Sequence, residues 1–128
     1  MSLFENFEVG KLFLPSGQEV ELKSIDWSPH AKFEGVELKH LITASETDGA
    51  FSYHLVRIAP KRAIGVHIHE TQLETHEVIA GSGVCTTAGQ KITYETGVIS
   101  ILPAGIEHEV AADSDGLYLF AKFFPALC

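Results

Sequence analysis

Cysteine, methionine, tryptophan and basic side chains are all scarce in this 128-residue chain, which has two Cys, one Met, one Trp and nine Lys plus Arg. So few cysteines exclude a disulfide framework, and Cys85 and Cys128 lack the paired spacing of zinc or redox motifs. Both read as free thiols. The shortage of basic charge against 17 Asp plus Glu leaves a formal net charge of −8. Such a chain repels a phosphate backbone, and no run of Lys or Arg builds a local basic stripe, so nucleic acid is not an expected partner. Long hydrophobic runs are missing too. No stretch approaches the roughly 20 apolar residues that span a bilayer, and the opening MSLFENFEVGK lacks the basic, apolar, small-residue order of a secretory signal. The expectation is a cytoplasmic protein with no membrane partner.

What the chain has is a dense succession of short β-type segments. Hydrophobic residues make up 45% of it, and runs rich in Val, Ile, Phe, Tyr and Thr are broken by Gly, Pro, Asp and Ser. Strands are expected at 19–25, 35–42, 51–59, 65–69, 74–80, 84–87, 90–95, 98–102, 108–111 and 117–124. About ten short strands at close spacing suit an all-β jelly-roll sandwich or barrel, and the length suits one domain, 1–128. Residues 1–18, with Leu3, Phe4, Phe7, Leu12 and Phe13 among polar neighbours, read as an amino-terminal arm or short helix that must cover an apolar surface. With Val66 and Ile68 aimed outward, this arm predicts a homodimer joined through a sheet face.

Histidine supplies the chemistry. Residues two apart on a strand share a face, so His67 and His69 in GVHIHETQLETHEV project together, about 6.6 Å apart, while Val66 and Ile68 project the other way. Two imidazoles aimed into one apolar interior are costly unless something satisfies their ring nitrogens. Glu74 opens the next strand and can face the same interior, and the strand carrying His108 can return after the Pro103–Gly105 turn. His30 and His40 read as ordinary hydrogen-bonded histidines.

These residues fall in two spaced patterns that resemble the two cupin motifs. The first, HxH, four residues, Glu, six residues, Gly, is matched by His67, His69, Glu74 and Gly81. The second, Gly, five residues, Pro-x-Gly, two residues, His, is matched by Gly97, Pro103, Gly105 and His108, and fifteen residues separate Gly81 from Gly97. Lys61 stands where the first motif begins with Gly, and Ala112 where the second often ends with Asn. The resemblance implies a double-stranded β-helix, the cupin barrel, with its core at 51–124. It also implies one divalent transition metal held by His67, His69, Glu74 and His108. A slighter likeness, in Trp27, Gly35-Val36, Lys39, Leu41 and LVRIAP, is to cupins of the anti-sigma-factor sensor and diketone-cleaving dioxygenase types.

Three imidazoles and one carboxylate leave two positions open on a six-coordinate ion and suit Fe, Mn, Ni, Co, Cu or Zn. Open positions allow a substrate oxygen and a second molecule to meet on one ion. The expected function is a metal-dependent dioxygenase acting on a small oxygenated or carbonyl compound bound in the barrel. Two alternatives stand beside it: a non-catalytic small-molecule or metal-sensing module, and a metal-independent sugar isomerase or epimerase. Two further histidines are catalytic candidates. His76, two residues after Glu74, is an acid/base group, an outer donor to Glu74, or a core histidine. His54 shares the more apolar face of its strand with Ser52, Val56 and Ile58, and is expected in the cavity.

Overall fold

The computed structural model describes residues 2–128, in which long antiparallel strands wrap into a jelly-roll barrel. The strands are β1 (Lys11–Phe13), β2 (Glu19–Glu21), β3 (Ser28–Pro29), β4 (Val36–Ile42), β5 (Ser52–Ile58), β6 (Ala63–His67), β7 (Leu73–Thr87), β8 (Gln90–Glu95), β9 (Ile99–Leu102) and β10 (His108–Phe124). Two short helices, α1 (Leu3–Glu8) and α2 (Ala44–Thr47), complete the elements used below.

The barrel closes because β7 and β10 are long enough to belong to both of its walls. The second half of β7 and the first half of β10 pair with each other and with β8 and β6. Their other halves pair with each other and continue through β9 on one side and β5, β4 and β3 on the other. Gly81 marks the crossing. Its φ is +74°, and a Cβ there would lie 2.2 Å from the Gly116 carbonyl oxygen, so only glycine lets the two strands approach. The segments expected at 74–80 and 84–87 are therefore one strand, as are 108–111 and 117–124, with the register shifting at Ala112/Leu117. A bulge in one continuous ladder had the composition of a turn.

Two other expectations change. The segment 19–25 is a strand only over Glu19–Glu21, after which Leu22–Ser24 forms a 3-10 turn. The strand expected to reach His69 ends at His67.

Two apolar clusters hold the barrel. Val36, Val56, Ile58, Val78, Leu117 and Phe123 fill its inside. A second cluster lies outside the wall, where Leu41, Leu55, Ile79 and Phe120 are covered by Phe4 and Leu22. Helix α1 starts with a reciprocal cap between Ser2 and Glu5 and delivers Phe4 to this surface. Burying such a ring contributes about 2–3 kcal/mol. The arm is pinned further: the Glu8 carboxylate accepts from Trp27 Nε1 at 3.1 Å and pairs with Arg57 at 3.7 Å, while the Arg57 guanidinium stacks 4.0 Å from the Trp27 ring. For Phe4, the cover expected from a second subunit comes from the chain's own barrel. No described helix is long and apolar enough to cross a membrane.

Candidate metal centre

Four candidate ligands reach one point from three directions. His67 ends β6, His108 begins β10, and the two are register partners with ring centroids 4.1 Å apart. His69 lies beyond the strand, where the backbone N–H of Gly105 donates to its carbonyl at 2.9 Å. The Pro-x-Gly turn thus anchors one ligand while launching another, and Gly105 meets its φ of +78° without strain. Glu74 comes from the start of β7, paired with Phe123 and Leu102 in the opposite wall. One ligand atom from each of His67, His69, Glu74 and His108 lies within 4.8 Å of all the others, so the group can hold a metal ion.

The polar bookkeeping is incomplete without a cation. Glu74 Oε1 lies 3.2 Å from His108 Nε2 and 3.7 Å from His69 Nε2. Even so, Glu74 Oε1 and His108 Nε2 are the described buried side-chain atoms that form no hydrogen bond. Their partners elsewhere are in place. His67 Nδ1 donates to the Gly65 carbonyl at 2.8 Å, which leaves its Nε2 lone pair free. Burial opposes the charge on Glu74, yet the His76 and His108 imidazoles outweigh it and hold the carboxyl well below the usual range. Burial pushes His67 and His69 down, so both are neutral near pH 7 and present lone pairs. One carboxylate oxygen and three imidazole nitrogens fit a divalent transition metal.

Behind Glu74 runs a buried relay. His76 Nε2 lies 2.8 Å from Glu74 Oε2, and its Nδ1 lies 2.9 Å from the Tyr94 hydroxyl, which contacts Ser100 Oγ. Since the carboxylate can only accept, His76 donates from Nε2, and the neutral imidazole then accepts the Tyr94 O–H at Nδ1. Tyr94 thus orients His76, and burial raises its phenol far above the ordinary range.

The cavity in front of the ligands is about 60 Å³ and is lined by Leu38, Val56, Ile64, Leu119 and Phe123, with His30 also on its wall. His30 Nδ1 accepts from the backbone N–H of Lys32 at 3.0 Å, which leaves the proton on Nε2. Its spacing gave no signal because β3 brings it in from another wall. His76 lines this cavity, whereas His54 is buried but does not. The His54 ring sits between Ser52, His40 and Phe123. Lys61 keeps the turn that glycine makes in the family, with φ +64°, and Ala112 is buried in the barrel core.

A family model described as a cupin domain matches residues 54–120. The chain is a cupin. Among solved structures, the barrel is similar to a predicted oxalate decarboxylase from Thermotoga maritima, at 20% identity and TM-score 0.72 over 80% of this chain and 95% of that one. It is also similar to KdgF from a Halomonas species, at 17% and 0.71 over 80% and 90%. A third is a putative ethanolamine utilization protein Q from Salmonella typhimurium, at 15% and 0.73 over 91% and 94%. At these identities the likeness shows this cupin's fold alone. No curated protein matches it.

Proposed function

We propose that this cupin is a metal-dependent dioxygenase acting on a small oxygenated or carbonyl compound. The observation that carries the reading is the buried, unpartnered pair Glu74 Oε1 and His108 Nε2 grouped with His67 and His69, three of these four residues lining a largely apolar cavity. A bound redox-active ion would supply the site where a chelating substrate and dioxygen meet. The chain's own residues do the rest. His67, His69 and His108 give nitrogen donors, Glu74 the one negative charge, and His76 fixes which carboxylate oxygen faces the cavity. Leu38, Val56, Ile64 and Phe123 exclude bulk water. His30, with its proton on Nε2, is placed to donate to a substrate oxygen at the cavity wall.

Size narrows the substrate. Typical ligand pockets run from about 300 Å³ upward, and at about 60 Å³ this cavity is well below that. The substrate is therefore a few heavy atoms, or enters as the loop 68–72 opens. Elemental analysis of the purified protein, then oxygen uptake by iron-loaded protein with small diketones and catechols, tests this. Uptake dependent on Glu74 is expected; bound zinc with no turnover under any reconstitution overturns it. That outcome would favour a sensing module, a reading supported by His76 having both nitrogens committed to Glu74 and Tyr94 rather than free for proton transfer.

We also propose a homodimer through the outward face of β6. Val66 is 60% exposed, beside a surface hollow of about 300 Å³ shared with Thr87 and Ile106. Sedimentation at micromolar concentration should give twice the chain mass; a monomer ends the proposal. Two unpaired thiols suit a reducing compartment and favour a cytoplasmic location.

A further inference from the structure

A second histidine cluster lies on the other side of Phe123, outside the cavity. His54 of β5 and His40 of β4 are register partners, and their Nδ1 atoms are 2.8 Å apart. Cys128 Sγ is 3.8 Å from the same His40 Nδ1, and the three candidate ligand atoms lie within 4.8 Å of one another. His54 is wholly buried, His40 partly buried, and Cys128 faces solvent, so the cluster is reachable from outside.

The placement of the thiol is built into the fold. After β10 the segment 125–128 is tied back by three hydrogen bonds. Ala126 N–H donates to the Gly49 carbonyl at 3.1 Å, Leu127 N–H donates to Ser52 Oγ at 2.8 Å, and Ala44 N–H donates to the Cys128 carbonyl at 2.6 Å. Ser52 Oγ also meets His54 Nε2 at 2.7 Å. When that oxygen accepts the Nε2 proton, the lone pair of His54 stands at Nδ1, towards His40 and Cys128. An outer partner of this kind commonly fixes a metal-binding imidazole.

We propose that His40, His54 and Cys128 form a second metal site, separate from the cupin ligands, for a thiophilic ion such as Zn²⁺ or Cu⁺. Two imidazoles and one thiolate are the donors these ions take, whereas oxygen-preferring ions such as Mn²⁺ find no carboxylate in the set. Binding releases one proton, from the Cys128 thiol. The proton shared between the two Nδ1 atoms moves to His40 Nε2, so the imidazole pair stays neutral and each ring offers a lone pair. The ion competes with the thiol proton, so affinity climbs with pH. His54 is pushed down to about 4, chiefly by burial and then by His40, and stays unprotonated throughout that range.

Titrating the full chain with Co²⁺ tests the site, because a thiolate ligand adds a charge-transfer absorption that imidazole and carboxylate do not. The wild-type chain is expected to bind two ions and show the thiolate band, with Zn²⁺ displacing it. Cys128→Ser, at an exposed position that leaves the fold intact by circular dichroism, should bind one ion and show no band. His40→Ala should weaken the banded ion by more than about tenfold, while Glu74→Gln should leave the band in place and weaken the other ion. A wild-type chain that saturates at one ion without the band overturns the proposal. So does a band that survives Cys128→Ser. Loss of the bandless ion alone would count against the cupin site and leave this one standing.

Discussion

The two histidine clusters on either side of Phe123 use the same side chain to opposite ends. Phe123 touches both, with its ring 5.0 Å from His69 and 5.5 Å from His54. On one side, His108 Nε2 and Glu74 Oε1 are buried with no hydrogen bond. On the other, both nitrogens of His54 are engaged, by His40 and by Ser52. The carboxylate makes the difference. A buried polar group without a partner costs about 1–3 kcal/mol, and more when charged, so the Glu74 side stores a deficit that a cation removes. The His54 side has no deficit and no charge until a thiol ionises. One cluster is poised for a divalent ion at neutral pH, and the other must first lose a proton.

The largest test of that contrast is loading with an oxygen-preferring ion. Mn²⁺ at a thousandfold excess over its dissociation constant should stabilise the chain by about 4 kcal/mol. At roughly 4 °C per kcal/mol for a domain of this size, scanning fluorimetry should show a rise of about 15 °C that a chelator reverses. Glu74→Ala should abolish the rise, and His54→Asn should keep it. A rise that survives Glu74→Ala would mean that the two clusters are not different in kind.

Acid should separate them next. The His54 imidazole falls from 6.5 to about 4 on folding, so between those values the unfolded chain holds a proton that the folded chain does not. Stability is then fully present above about pH 6.5, falls by about 1.4 kcal/mol per pH unit below it, and levels off near pH 4 after a loss of about 3 kcal/mol. Glu74 behaves otherwise. Its carboxyl is lowered, so its contribution is present above the ordinary carboxylate range and is lost only in stronger acid. Denaturant titrations of metal-free protein should show a shallower slope between pH 6.5 and 4 in His54→Asn. An unchanged slope would mean that burial is not what holds His54 neutral.

The same contrast explains what the sequence made legible. The His67 and His69 spacing, the outward Val66 and Ile68, and the glycines at 81, 97 and 105 report short-range backbone demands, and each of those glycines has positive φ in the fold. Glu74 and His108 were readable only through the two-motif resemblance, because their meeting depends on the start of β7 and the start of β10 lying in opposite walls. His30, His40, Tyr94 and Ser100 carried no local signal at all. What brings His40 to His54 is β4–β5 register, and what brings Cys128 there is a return of the chain after β10. Length was misread for one reason. Gly81–Gly83 and Asp113–Gly116 have turn composition, but a strand that bends between two walls needs the same residues.

The smallest effect should come from the hydroxyl behind the carboxylate. Tyr94→Phe keeps the ring in the core and removes the proton that His76 Nδ1 accepts, so His76 can take either tautomer and no longer always donates to Glu74 Oε2. With that donor lost part of the time, Glu74 turns between its two oxygens. Mn²⁺ affinity should fall about tenfold, the scale of other outer-partner losses, with the metal-free fold weakened by about 1 kcal/mol from the stranded Ser100 hydroxyl. Ser52→Ala is the matched change in the other cluster, since it takes the partner from His54 Nε2. It should leave Mn²⁺ affinity where it was. If calorimetry finds both variants weakening Mn²⁺ equally, Phe123 is transmitting between the clusters, and they form one coupled site rather than two.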